Sequence, residues 1–147
     1  MDDVLLQVPA ELEQLERIQS FAAERAASAG LAPSALGKLA LALEEVFVNI
    51  CHYAYPDRSG SVDLRTWTEN GEFVIEIADT GMPFDGLALP DPDTSAELDD
   101  REIGGLGWFL IRQLVTAADY RREGDRNLLR LRLSIDPEET PNAAKDA

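Results

Sequence analysis

The chain has 147 residues, 45% of them hydrophobic, and a formal net charge of −15. That length suits one domain with one core, and the hydrophobic content excludes a wholly disordered chain. The acidity argues against nucleic acid or an anionic membrane as a direct partner and favours a basic protein or a cation-neutralised ligand. Cys51 is the single cysteine, so no intrachain disulfide can form and a cytoplasmic location is expected. The opening MDDVLLQVPA lacks the apolar core of a signal peptide, and no apolar run approaches the ~20 residues of a membrane span.

Residues 4–8 read as a short strand. Across residues 11–29, Leu12, Leu15, Ile18, Phe21 and Ala22 recur at helical spacing, and Gly30 marks the stop. Pro33 opens a second helix, which should run to about Tyr55 because Pro56 must follow it. SVDLRTWTENGEFVIEIAD, residues 61–79, reads as a hairpin turning at Asn70-Gly71. Residues 80–103 show no periodicity and contain Pro83, Pro90 and Pro92. From Asp85 to Glu102 seven acidic residues occur with one basic residue, Arg101. A long loop of this kind inside a compact domain points to function. GGLGWFLIRQLVTAAD, residues 104–119, reads as a third helix. YRREGDRNLLRLRLSI, residues 120–135, reads as a second hairpin, and residues 136–147 as a frayed polar tail. Helices and antiparallel hairpins segregate instead of alternating. That predicts one α+β domain over residues 1–147, a two-layer sandwich with helices on one face of a mostly antiparallel sheet.

The second helix raises the functional question. At about 100° per residue, Leu36, Leu39, Ala40, Leu43, Phe47, Ile50 and Ala54 form one core stripe. Lys38, Glu45, Asn49 and His52 gather on the opposite side, with Glu45 and Asn49 stacked one turn apart. A solvated face would explain them, but Leu41, Ala42 and Val48 flank the group, and Asn is a poor mid-helix residue unless its amide has something to bind. In the strand over 72–79, Phe73, Ile75 and Ile77 alternate with polar or small residues, and parity then turns Asp79 toward the core. A carboxylate there needs hydrogen bonds, either from an Asx-turn in DTG or from a ligand donor. GGLG, residues 104–107, opens a helix and lets backbone N–H groups approach an anion. Its spacing fits neither the dinucleotide fingerprint nor the P-loop.

Together, Glu45 and Asn49 on a helix, DTGMPFD at 79–85 and GGLGWFLI at 104–111 resemble the N box and two glycine boxes of the Bergerat-type (GHKL) ATP-binding fold. EEVFVNICHYAY and D-T-G-x-P-F-D are similar to the anti-sigma-factor serine/threonine kinases of the RsbW and SpoIIAB type, over residues 4–135. The resemblance implies an ATP-dependent kinase that sequesters a sigma factor and phosphorylates a STAS-type anti-anti-sigma protein, acting as a homodimer. It implies Asn49 as the Mg²⁺ ligand, Glu45 as the general base and Asp79 as acceptor from the adenine amino group. It further implies Gly81 where the backbone passes the purine, Gly104, Gly105 and Gly107 around the phosphates, and Arg101 as a phosphate contact. The family's Gly-Thr in the last hairpin is replaced here by GDRNLLRL, so Asn127 substitutes for the threonine or the contact is absent. His52 is an improbable phosphoacceptor, Trp108 is expected in the core, and Cys51 as a small buried residue and not a nucleophile. The alternative to a kinase is a nucleotide-gated binding module whose output is partner exchange.

Overall fold

The computed structural model describes residues 4–88 and 103–135, with side chains from Gly107 onward in the second stretch. Strand β1 (Val4–Pro9) leads through a 3-10 turn into α1 (Leu15–Ala29), which Gly30 ends at φ 98°. Helix α2 (Pro33–Asn49) begins on its proline and passes without a break into a π-helical turn, Ile50–Ala54. Strands β2 (Ser61–Glu69) and β3 (Glu72–Asp79) form the first hairpin, whose Asn70-Gly71 turn has positive φ at both residues. After a 3-10 turn at Gly86–Ala88 come α3 (Ile103–Leu114), β4 (Ala117–Glu123) and β5 (Arg126–Ser134).

The five strands pair antiparallel throughout in the order β1-β2-β3-β5-β4, so β3 is central. The inner sheet face carries Leu64, Phe73, Ile75, Ile77, Leu129 and Leu131. It packs on Ile18 and Ala22 of α1, Leu39, Leu43 and Phe47 of α2, and Trp108 and Ile111 of α3. This is the expected α+β sandwich. Among the described residues, no helix is long and apolar enough to cross a membrane.

Three expectations need correction. The third helix stops at Leu114, and residues 117–119 belong to β4. Their alanines favour a helix, but Thr116 N–H donates to Arg132 O at 2.9 Å and Ala117 pairs with Arg132, so cross-strand pairing overrides local propensity. On α2, Ala42 and Val46 are buried along with Leu39, Leu43 and Phe47, whereas Leu36, Ala40 and Ile50 are half-buried. The helix lies between α1 and α3 and so hides a wider arc than a single sheet-facing stripe. Finally, β3 is buried on both faces. Glu76, on the outer face and 4% exposed, accepts from Arg130 Nε at 2.9 Å and pairs with Arg65 at 3.6 Å. Both guanidinium groups lie over the Trp67 ring, at 5.3 and 5.1 Å, and this layer covers the strand.

Candidate nucleotide site

Asp79 ends β3 facing the helices, as parity requires, and is 7% exposed. Its Oδ1 accepts from Gly81 N–H at 2.8 Å, an Asx-turn, and from Asn127 Nδ2 at 2.9 Å on the register partner in β5. Among the described residues Oδ1 takes both of the carboxylate's hydrogen bonds and Oδ2 takes none, so the Asx-turn leaves one oxygen of the carboxylate unused.

The loop that follows is held at every backbone group from Thr80 to Met82. Thr80 N–H donates to the Tyr55 hydroxyl at 2.9 Å, and Thr80 O accepts from Arg58 Nη2 at 2.7 Å. Gly81 N–H goes to Asp79, and Gly81 O accepts from Arg122 Nη1 at 2.8 Å. Met82 N–H donates to Ala54 O at 3.0 Å, and Met82 O accepts from Asn127 Nδ2 at 2.9 Å. A Cβ on Gly81 would run into the Ala54 carbonyl, with the carbonyl carbon at 2.8 Å, so the glycine is needed for the loop to lie on the π turn. The π turn delivers Ala54 O to this contact, in keeping with the concentration of such turns at functional sites.

Glu45 and Asn49 lie one turn apart on α2, both half-buried. Asn49 Nδ2 donates to the Glu45 backbone carbonyl at 2.8 Å, which fixes the amide, and among the described residues no donor reaches its Oδ1. Above them stands α3. A Cβ on Gly107 would meet Glu45 Oε1 at 2.7 Å and Asn49 Nδ2 at 3.5 Å, so any larger residue there would have to displace the Glu45 carboxylate. No donor among the described residues reaches the Glu45 carboxylate. Its burial, and secondly the charge of Glu44, raise its pKa above the ordinary 4.5. Asn49 and Ala54 are five residues apart on one helical axis, under about 8 Å, so a single helix carries the Glu45 group at one point and clamps the Asp79 loop at another.

Gly104 and Gly105 fall in the first turn of α3. Arg101 and the rest of residues 89–102 of the long acidic loop lie outside the described residues. Trp108 is 6% exposed in the core, its ring against Gly86 and tilted on Phe84 at 6.2 Å, and its Nε1 has no hydrogen-bond partner among the described residues. Cys51 is half-buried, and its thiol is pushed up to about 11 by burial, then by Glu11 and Glu13, which suits a packing residue and not a nucleophile. His52 is exposed, edge-on to Tyr53. On α1, Ile18 is buried and Leu15 packs on the core. Sequence reasoning missed Tyr55, Arg58, Tyr120 and Arg122. The single available signal was alternation along YRREGDRN, which puts Tyr120 and Arg122 on the same face as Asn127.

The histidine kinase-like ATPase domain is matched over residues 8–133, and the chain belongs to that family. A serine/threonine-protein kinase of Bordetella bronchiseptica, BtrW, is 31% identical over 101 residues, covering 68% of this chain and 71% of that protein. The RsbU and RsbW domains of Rv1364c from Mycobacterium tuberculosis share the fold, with a TM-score of 0.64 at 14% identity over 91% of this chain. The chain spans 32% of that larger structure. These likenesses bear out the anti-sigma serine/threonine kinase branch of the superfamily that the motifs resemble.

Proposed function

We propose that this protein is an ATP-dependent serine/threonine kinase that phosphorylates a STAS-type anti-anti-sigma protein and sequesters a sigma factor, acting as a cytoplasmic homodimer. The observation that carries the kinase reading is the half-buried Glu45 carboxylate, one helical turn from the Asn49 amide, with no donor to the carboxylate or to the amide oxygen among the described residues. A carboxylate whose proton affinity is raised is a better general base near neutral pH than an ordinary one. In the reaction, Glu45 takes the proton of the substrate hydroxyl as its oxygen attacks the γ-phosphorus. The bond from γ-phosphorus to the β–γ bridging oxygen breaks, and ADP leaves.

Asp79 Oδ2 accepts from the adenine amino group, and Gly81 lets the purine lie against the loop. Gly104, Gly105 and Gly107 present backbone N–H groups to the phosphates, assisted by Arg101. The donor set suits Mg²⁺ held mainly by nucleotide. Asn49 Oδ1 is a hard oxygen ligand, and among the described residues no group of three His, Cys, Asp or Glu forms a protein cage. When bound, Mg²⁺ would neutralise charge on the phosphate oxygens.

Phosphate transfer from labelled ATP to a STAS-type protein of the same cell tests the kinase. Glu45→Ala is expected to lose about 10²–10⁴ in rate with nucleotide affinity nearly intact. Asn49→Ala is expected to lose Mg-ATP binding and transfer together. The close cover of Gly107 over Glu45 favours a second reading, a nucleotide-gated module, which stands if wild type binds ATP and a partner but transfers nothing. A monomer by light scattering removes the homodimer.

A further inference from the structure

The Asn127 amide has no capacity left for a ligand. Its Nδ2 donates to Asp79 Oδ1 and to Met82 O, each at 2.9 Å. Its Oδ1 accepts from the Tyr120 hydroxyl at 2.5 Å and from Arg122 Nη1 at 3.1 Å. Two donated and two accepted bonds fill the ordinary capacity of a carboxamide. A flipped amide would set its oxygen against Asp79 Oδ1 and Met82 O, and its NH₂ against the Arg122 guanidinium, so these three contacts enforce one orientation and the Tyr120 hydroxyl donates to fit it. At 7% exposure, water offers Asn127 little alternative. Arg122 also ties Gly81 O, so one guanidinium group braces both the amide and the loop.

We propose that Asn127 is a positioning residue for purine selection. It does not touch the base. It saturates Asp79 Oδ1 and thereby holds Oδ2 toward position 6 of the purine, while Tyr120 and Arg122 fix the amide from behind. The assignment rests on Asp79 being the adenine acceptor. Adenine presents an amino donor at position 6, whereas hypoxanthine presents a carbonyl, which a fixed acceptor repels. Without the amide, Asp79 keeps only the Gly81 N–H, its carboxylate turns more freely, and water can enter beside it. An acceptor that turns and is wetted can accommodate a bridged carbonyl, so selection weakens.

The test compares ADP and inosine diphosphate affinities by calorimetry on the full chain, in wild type, Asn127→Leu and Tyr120→Phe. Wild type is expected to prefer ADP by at least about 10²-fold. Asn127→Leu should reduce that ratio at least about tenfold, the worth of one hydrogen bond to a charged group, mainly by weakening ADP. Tyr120→Phe keeps the ring, removes one bond to the amide oxygen, and should lower the ratio by about two- to fivefold. Equal wild-type affinities overturn the Asp79 reading itself. A wild-type preference that both variants retain overturns the Asn127 assignment alone, as does an equal weakening of both nucleotides. If Asn127→Leu does not fold by circular dichroism, an unchanged ratio in Tyr120→Phe is decisive against it.

Discussion

From Thr80 to Met82 every backbone N–H and C=O has a partner, drawn from β3, β4, β5, the π turn and the segment after it. At the Glu45 end, among the described residues, the Asn49 amide makes one hydrogen bond and the Glu45 carboxylate has no donor, and Gly107 of α3 lies close by. Among the described residues one end is saturated and the other is sparsely bonded, and in the proposed function the sparse end is the one the ligand completes. The contrast follows from chemistry. A base is recognised by shape and by the direction of a few hydrogen bonds, which a rigid frame does best. Phosphoryl transfer needs charge and a proton acceptor to gather around a moving group, and full prior saturation of Glu45 would make it a weaker base.

Substitutions at the two ends should differ in kind. The largest effect is expected for Asp79→Asn, which trades the free acceptor for an amide. ATP affinity by calorimetry should fall by about 10²–10⁴-fold, and retained affinity would mean that the rigid end is not the base site. Next comes Gly107→Ala, whose Cβ would reach to 2.7 Å from Glu45 Oε1 and push the carboxylate aside. Transfer should drop on the order of 10²-fold while ADP affinity changes by less than about threefold. A loss of ADP binding there would erase the division of labour.

Gly81→Ala drives a methyl into the Ala54 carbonyl, which is backbone and cannot swing away. Urea unfolding should show a loss of about 1–3 kcal/mol, and a smaller loss would mean that the loop is less rigid than its hydrogen bonds suggest. The smallest effect concerns pH. Burial, then Glu44, raises the Glu45 pKa in the folded state, so Glu45 contributes stability that is fully present below its unfolded value near 4.5 and is lost as pH rises through the higher folded value. Glu45→Gln removes that loss. Its melting temperature should exceed that of wild type toward neutral pH, and its pH dependence above 4.5 should be flatter.

Much of this was readable before any coordinates. The 3.6-residue period set α1 and α2, the Asn70-Gly71 turn set the first hairpin, and period-two alternation turned Asp79 inward. Glu45 and Asn49 stood out because polar residues sat among Leu41, Ala42 and Val48. What stayed hidden was non-local. Ala42 and Val46 are buried because helices stand on both sides of α2, which no single-helix wheel contains. The end of α3 went unseen because LVTAAD is acceptable helix until β5 pairs with it. Tyr55, Arg58, Tyr120 and Arg122 meet at one loop although 67 positions separate the first from the last, and nothing local marks their convergence.

The buried indole of Trp108 gives the chain a built-in optical signal. Of its two tryptophans, Trp67 lies on the far sheet face against two guanidinium groups, whereas Trp108 sits in the first half of α3 with an N–H that no described residue accepts. An indole in that state emits toward the blue, and its emission moves red when water or an acceptor arrives. Intrinsic fluorescence therefore separates a steady reference from a reporter of α3, and nucleotide arrival can be timed by stopped flow with no label attached.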